Sequence, residues 1–155
     1  MSTTTHTRSI HIDAPVEKVF DHVKDPHHFY EVMEEFPYSR LTGHMKGELT
    51  DVTMTDDGGL GSTWSFTGAL FIFHFDATFV RQEYVPNERF TDRNPDANTA
   101  WTFTVEPDET GTTMSIAFAF SSKVPLLDKV EDRIYWDGDH DLDTMLTLFK
   151  KAIET

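Results

Sequence analysis

The sequence predicts an α+β protein in which a curved, seven-stranded antiparallel sheet is covered by one long C-terminal helix. Between residues 48 and 121, short segments of alternating apolar and polar residues recur, which is the pattern of half-buried strands. The breaks at 56–59 and 108–111 carry the Asp and Gly residues of hairpin turns. Residues 125 to about 153 form an amphipathic stretch with helical spacing. Because the connections between strands are short, antiparallel pairing is favoured.

The first predicted elements are one strand and two short helices. Residues 8–13 alternate between apolar and polar side chains, which indicates a strand. Asp13 is expected to cap a helix whose first residue is Pro15. The Asp25-Pro26 pair ends that helix and starts a second one through about Met33, with Phe29, Tyr30 and Met33 as its packing residues. Residues 34–47 are irregular and predict a loop with at most a short strand.

Six further strands are predicted, at 48–55, 62–68, 74–85, 88–93, 99–106 and 112–121. In each of them large apolar residues alternate with small or polar ones, so the sheet should have one covered face. We expect that face to carry Trp64, Phe66, Phe71, Phe73, Phe75, Phe79, Trp101, Phe103, Val105, Met114, Ile116, Phe118 and Phe120.

The C-terminal helix has an apolar stripe that is interrupted once. Leu127, Val130, Ile134, Leu142, Met145 and Phe149 recur with the helical period. Between Ile134 and Leu142, the inward positions fall to Asp137, Gly138 and Asp141, where a helix that only packed would carry Leu or Ala. We expect the helix to leave room beside the sheet at this notch. A kink at Gly138 without functional meaning is the competing explanation.

Composition favours one folded, soluble domain over residues 1–155. The chain is 38% hydrophobic and 13% aromatic, with 13 Phe against three Trp and four Tyr, which predicts an interior lined with rings. It contains no cysteine, which excludes disulfides and thiolate chemistry. We find no apolar leader and no run of 18 apolar residues, so a cytoplasmic location without stable membrane insertion is expected. Oligomeric state is left open.

The net charge of −14 bears on possible partners. Such a surface repels phosphate backbones and anionic membranes, so nucleic-acid binding is not expected.

Four blocks carry a resemblance to a known superfamily: IHIDAPVEKVF at 10–20 with the following Asp25-Pro26, GLGSTW at 59–64, EYVPNERF at 83–90, and Gly111-Thr112 before an alternating strand. Together with the order of elements, they resemble the START-like superfamily, also called SRPBCC. This superfamily includes the birch-pollen-allergen-like proteins and the polyketide cyclase/dehydrase family. The resemblance implies a helix-grip fold whose cavity, between sheet and long helix, is closed by the two short helices.

The resemblance also implies a function, the binding of a hydrophobic or amphipathic small molecule such as a lipid, isoprenoid or polyketide. Candidate ligand-binding residues are Trp64, Phe66, Phe71, Phe73, Phe75, Trp101, Phe103, Ile134, Asp137, Gly138, Asp141 and Met145. The alternative explanation of the aromatic residues is plain core packing. Two other function classes stay open: a polyketide cyclase/dehydrase-type enzyme with Asp137 and Asp141 as acid–base groups, and an interaction module that assists a chaperone.

The remaining polar motifs do not predict a cofactor or a metal. The acidic alternation at 137–143 lacks the glycine and the bidentate glutamate of a calcium loop. We interpret His27, His28, His74 and His140 as surface residues. Arg81, Arg89 and Arg93 are expected to pair with Glu83 or Glu88 on the outer surface of the sheet, with ligand-carboxylate binding as the alternative.

Overall fold

The computed structural model describes residues 3–35, 37–39, 43–44, 46–70, 73–95, 98–121 and 138–155. Its helices are α1 (Val16–Val23), α2 (Pro26–Glu35) and α3 (Gly138–Glu154). Its strands are β1 (Thr3–Ile12), β2 (Pro37–Ser39), β3 (Gly43–His44), β4 (Lys46–Thr53), β5 (Thr63–Leu70), β6 (Phe73–Val85), β7 (Arg89–Asn94), β8 (Thr99–Pro107) and β9 (Thr112–Ser121).

Seven strands form one antiparallel sheet in the order β1-β9-β8-β7-β6-β5-β4. From β4 to β9, each strand pairs with the next one in sequence. The first strand, β1, lies at the edge opposite β4 and pairs with β9 over its whole length. The α+β class and the seven-stranded curved antiparallel sheet are thus confirmed. In the stretch expected to be irregular, β2 and β3 form a separate two-stranded ribbon.

The covered face of the sheet, called the inner face below, carries the predicted side chains. Trp64, Phe66, Trp101 and Phe103 are all buried, as are Phe79, Val105, Met114 and Ile116. Because side chains alternate between the two faces of a strand, their common parity confirms the predicted register. Phe73 and Phe75 lie within β6, but their side chains, like the whole of Phe71, are outside the described part of the structure.

Helices α1 and α2 start at prolines or just after them. Pro15 occupies the N-cap position of α1 without a side-chain capping bond, so the predicted cap by Asp13 is wrong. The backbone N–H of Asp13 instead donates to Glu154 Oε2 at 2.8 Å. The second helix follows the prediction, since Asp25 Oδ1 accepts a hydrogen bond from the backbone N–H of His27 at 2.9 Å.

The C-terminal helix α3 packs its apolar stripe onto the core and its polar side onto the edge strand β1. Its buried residues are Leu142, Met145, Leu146, Phe149 and Ile153. Side-chain hydrogen bonds connect it to β1. Arg8 donates two hydrogen bonds to the Asp143 carboxylate, at 2.9 and 3.1 Å, and Lys150 Nζ donates to the carbonyl of His11 at 2.8 Å. The predicted helical positions from 125 to 137 lie outside the described residues.

A buried ion pair joins the sheet to α1 and to the loop after β4. Arg81 Nε and Nη2 donate to the two carboxylate oxygens of Asp92, at 2.8 and 3.0 Å. The remaining guanidinium bonds go to the carbonyls of Gly58, at 2.7 Å, and Lys24, at 2.9 Å. Trp64 Nε1 donates to Asp92 at 3.0 Å. Burial of a charge is tolerated where its hydrogen-bonding groups find partners in this way.

The outer-surface position predicted for Arg81 is therefore wrong, because its side chain is 1% exposed. The prediction holds for Arg89, which pairs with Glu83 at 2.9 Å with both side chains nearly half exposed. The pairing predicted for Arg93 is wrong, because its guanidinium donates to the side chain of Asn98 at 2.8 Å.

Replacement of Phe149 by alanine should lower the free energy of unfolding by about 3–5 kcal/mol, the usual cost of emptying a buried Phe site. The Phe149 side chain is fully buried and contacts the rings of Phe29 and Phe103. The measurement is chemical denaturation. Lys151→Ala, at an exposed position on the same helix, is the control and should change stability by less than about 0.5 kcal/mol. An unchanged midpoint for Phe149→Ala would contradict the packing of the helix end.

Replacement of Asp92 by alanine should cost about 3–5 kcal/mol, because it leaves the buried guanidinium of Arg81 without its counter-charge. The double variant Arg81→Met, Asp92→Ala should be more stable than Asp92→Ala alone, since no buried charge remains. Glu83→Ala removes the exposed partner of Arg89 and should cost no more than about 1 kcal/mol. Equal losses for Asp92→Ala and Glu83→Ala in urea denaturation would show that burial of the pair has no energetic weight.

Candidate functional site

The inner face carries five buried aromatic side chains, which we call the aromatic wall: Trp64, Phe66, Phe79, Trp101 and Phe103. Trp64 and Phe79 are cross-strand partners on β5 and β6, with centroids 4.5 Å apart and planes 14° from parallel. Phe66 and Phe79 are 6.2 Å apart with an angle of 7°. The three rings on β5 and β6 therefore form one stack of nearly parallel rings within the apolar core.

The middle of the aromatic wall is packed by Phe29 of α2. The centroid of the Phe29 ring lies 5.2 Å from Trp101, 5.3 Å from Trp64 and 5.9 Å from Phe103. It also lies 6.4 Å from Phe149 of α3. At this position the aromatic residues are core packing, as the alternative explanation expected.

Further along β5, Phe66 is approached by Tyr30, the residue after Phe29. Their ring centroids are 6.0 Å apart, and Tyr30 is 6% exposed. The Tyr30 hydroxyl is buried and has no hydrogen-bond partner, alone among the buried side-chain N and O atoms of the described residues. Leaving a hydroxyl in this state costs about 1–3 kcal/mol. The sequence shows only a packing residue here, since a tyrosine and a phenylalanine fit the same helical pattern.

The ionisation of Tyr30 is suppressed by its surroundings. Burial raises the pKa of its phenol, and the charges of Glu34 and Glu48 raise it further. At neutral pH the hydroxyl therefore keeps its proton and can donate a hydrogen bond.

On the helix side, Met145 is buried and belongs to the same core as Trp64, Phe66, Trp101 and Phe103. Gly138 is the first residue of α3 and, four and seven positions before Leu142 and Met145, shares their helical face. Asp141 is half-buried. Ile134 and Asp137 lie outside the described residues, so the structure places only part of the predicted notch.

The described carboxylates do not form an acid–base site in this interior. Asp92 is the buried one among them, and Arg81 and Trp64 hold both its oxygens. Asp139 Oδ1 lies 3.4 Å from His6 Nδ1, and Asp143 forms an ion pair with Arg8. In the described parts of the chain, no three ligand-type side chains are grouped so as to hold a metal ion. Nor does any described helix combine the length and the apolar character needed to cross a bilayer.

A separate cleft of about 420 Å³ lies between the α1–α2 corner and the loop after β4. Half of the ten residues that line it are charged: Asp21, Lys24, Asp25, Asp56 and Asp57. Lys24 already pairs with Asp21 at 3.3 Å and donates to the carbonyl of Asp57. The chemistry of this cleft therefore differs from that of the aromatic interior.

Two stacked histidines shape the same corner. The rings of His22 and His28 are 3.9 Å apart and 7° from parallel, and His28 Nδ1 donates to the carbonyl of His22 at 2.8 Å. The predicted surface position of His28 is thus wrong, since it is half-buried. It holds for His27 and His140, which are exposed, while the side chain of His74 is outside the described set. Burial, and then the charge of His28, lowers the pKa of His22 to about 4.

This low pKa predicts a pH-dependent stability. The unfolded chain takes up a proton at His22 near pH 6.5, whereas the folded protein does so only near pH 4. Protons therefore favour the unfolded state between these values, and the free energy of unfolding should fall as the pH falls from about 6.5 to about 4. Replacement of His22 by glutamine should make this fall shallower.

The measurement is urea denaturation of both proteins at pH values from about 4 to about 7.5. The difference in stability between parent and variant should be constant above about pH 7 and change below it. Parallel curves over the whole range would contradict the buried neutral histidine.

Comparison with known proteins places this geometry in a family. The family model described as "Polyketide cyclase / dehydrase and lipid transport" matches residues 3–154. No curated protein matches the chain.

Solved structures show the same fold. Protein CV1439 of Chromobacterium violaceum is 19% identical with a TM-score of 0.63, covering 97% of this chain and 98% of its own. An AHSA1-like protein of Aeromonas hydrophila is 16% identical with a TM-score of 0.57, covering 96% and 94%. The polyketide-cyclase-like protein Cgl2372 of Corynebacterium glutamicum is 18% identical with a TM-score of 0.53, covering 99% and 90%. At these identities the likeness concerns the fold alone.

The family model spans nearly the whole chain and includes the sheet, the two short helices and α3. The chain therefore belongs to the polyketide cyclase/dehydrase and lipid transport family.

Proposed function

We propose that this protein binds a hydrophobic or amphipathic small molecule, such as a lipid, an isoprenoid or a polyketide, in the interior between the inner face of the sheet and α3. The observation that carries the proposal is the aromatic wall, a set of buried rings on β5, β6 and β8, of which those on β5 and β6 are stacked. Small-molecule sites are typically apolar and aromatic with few polar groups. Burial of a ligand's apolar surface contributes about 25 cal/mol per Å².

The family description adds independent support, because it couples the fold to polyketide chemistry and lipid transport. Both ligand classes are mainly apolar and carry a few oxygen atoms. An interior of Phe, Trp and Met side chains with the hydroxyl of Tyr30 at its edge suits such molecules.

The proposed ligand-binding residues combine the placed and the unplaced parts of the predicted site. They are Trp64, Phe66, Phe73, Phe75, Trp101 and Phe103 on the strands and Gly138, Asp141 and Met145 on α3, together with Phe71, Ile134 and Asp137, which lie outside the described residues. Since Phe29 packs the middle of the aromatic wall, we expect the ligand to contact its flanks, with Phe66 on one of them.

Binding is favoured over catalysis by the state of the described carboxylates. A cyclase or dehydrase needs a group that transfers a proton at the ligand. Asp92, the buried carboxylate among the described residues, is engaged by Arg81 and Trp64 and is therefore not free to transfer a proton. The likeness to the AHSA1-like structure concerns the fold and gives no support to a chaperone-assisting role.

Replacement of Gly138 by leucine tests the position of the ligand. Gly138 shares a helical face with the buried Leu142 and Met145, so a leucine side chain there should occupy space needed by the ligand. The variant should lose binding of the apolar fluorescent probe diphenylhexatriene, while its far-UV circular dichroism stays that of the parent.

His140→Leu is the matched control, since it adds the same side chain at an exposed position of the same helical turn. It should bind the probe as the parent does. If Gly138→Leu also binds the probe normally, the ligand does not lie at this end of α3. If the parent itself binds no probe, and native mass spectrometry of protein from its own host shows no retained molecule, the proposed function is wrong.

A further inference from the structure

We propose that Tyr30 is the polar anchor of this interior and that the ligand is an uncharged molecule with a hydrogen-bond-accepting oxygen, such as a ketone, an ester or an alcohol, and not a carboxylate. This inference rests on the proposed function and narrows it to one ligand chemistry. It assigns the Tyr30 hydroxyl the role of donor to the oxygen of the ligand.

The first argument is the position of the hydroxyl. Tyr30 follows Phe29 on α2, so the helix that packs the middle of the aromatic wall also places a phenol beside Phe66 on β5. The side chain is more than nine-tenths buried, and its hydroxyl is out of reach of solvent. A phenylalanine would fill the same volume without a polar atom that needs a partner.

The second argument concerns what could satisfy this hydroxyl. An internal water molecule usually makes two to four hydrogen bonds to buried polar groups. Among the described residues, however, no other buried side-chain N or O atom is without a partner. The described side chains thus leave Tyr30 as the single buried group in want of a bond. An acceptor oxygen on an otherwise apolar ligand supplies that bond.

The third argument is charge, which separates a neutral oxygen from an anionic one. Glu34 of α2 and Glu48 of β4 act on the Tyr30 hydroxyl with negative charge, and the chain as a whole carries −14. Burial raises the pKa of the phenol most and their charges raise it further, and both effects oppose a carboxylate brought to the same place. A ketone or an alcohol carries no charge that these effects would destabilise, and its oxygen accepts a hydrogen bond from the phenol.

Three matched naphthalenes test the proposal, carrying an ethyl, an acetyl or a carboxylate group at the same ring position. Their affinities are measured by displacement of diphenylhexatriene from the parent and from Tyr30→Phe. In the parent, the acetyl compound should bind tighter than the carboxylate. Tyr30→Phe should weaken the acetyl compound by about three- to tenfold, the range of one hydrogen bond, and leave the ethyl compound unchanged.

Tyr84→Phe is the matched control, because the Tyr84 hydroxyl donates to the carbonyl of Asp57 on the surface at 3.2 Å, away from the aromatic wall. It should leave all three affinities unchanged. A second readout is the stability of the ligand-free protein. Loss of an unpartnered buried hydroxyl should leave the thermal midpoint of Tyr30→Phe equal to or above that of the parent.

The outcomes separate this inference from the proposed function. Failure of the parent to bind either the probe or any naphthalene overturns the proposed function and this inference with it. Normal binding of the ethyl compound, with no selective loss of the acetyl compound in Tyr30→Phe, overturns only the anchor. Tighter binding of the carboxylate than of the acetyl compound overturns the ligand class. A lowered thermal midpoint for Tyr30→Phe shows that the hydroxyl has a partner in the free protein and also overturns the anchor.

Discussion

The arrangement of the interior depends on the buried pair of Arg81 and Asp92. Two charges in a medium of low polarity are tolerable only when their hydrogen-bonding groups are satisfied, and here the partners come from separate parts of the chain. Asp92 joins β7 to β5 through Trp64, and Arg81 joins β6 to the end of α1 and to the loop after β4. The Phe90 ring lies 4.2 Å from the guanidinium carbon. With the end of α1 held in place, the start of α2, and with it Phe29 and Tyr30, is set over the sheet.

Most of the fold could be predicted from alternation, because the pleat of a strand leaves only two directions for a side chain. The same rule contained the information that was missed at Arg81. Phe79 is buried, and Arg81 lies two residues further along β6; Asp92 likewise lies two residues after the buried Phe90. The alternation of side chains therefore predicts that both charged side chains point inward. Only the general preference of charged residues for the surface favours the opposite prediction. A matched pair of opposite charges at inward positions on neighbouring strands is the signal that resolves this conflict.

The candidate site could be predicted from the sequence less completely than the fold. Alternation predicts that Trp64, Phe66, Trp101 and Phe103 are buried, but not what covers them. Phe29 covers part of them, and it comes from a helix whose position depends on distant contacts. The special state of Tyr30 is likewise a property of three-dimensional neighbours, since a sequence names a hydroxyl but not its partners. Asp141 and Met145 belong to the same helical pattern, yet Asp141 is half-buried and Met145 is buried. The reason is that burial decreases gradually from the centre of the contacting helix face towards its sides.

The pairing of the first strand with the last has a consequence for how the protein is made. Thr3 of β1 lies opposite Ser121 of β9, and Arg8 reaches Asp143 of α3. A ribosome that adds about 5–20 residues per second completes β9 on the order of ten seconds after β1 has been synthesised. During that interval Ile10 and Ile12 have neither their strand partner nor their helix, although β4 to β7 can already pair as successive hairpins. Successive hairpins of the nascent chain can therefore form first, whereas its N-terminal strand has no pairing partner until the C-terminal third has been synthesised.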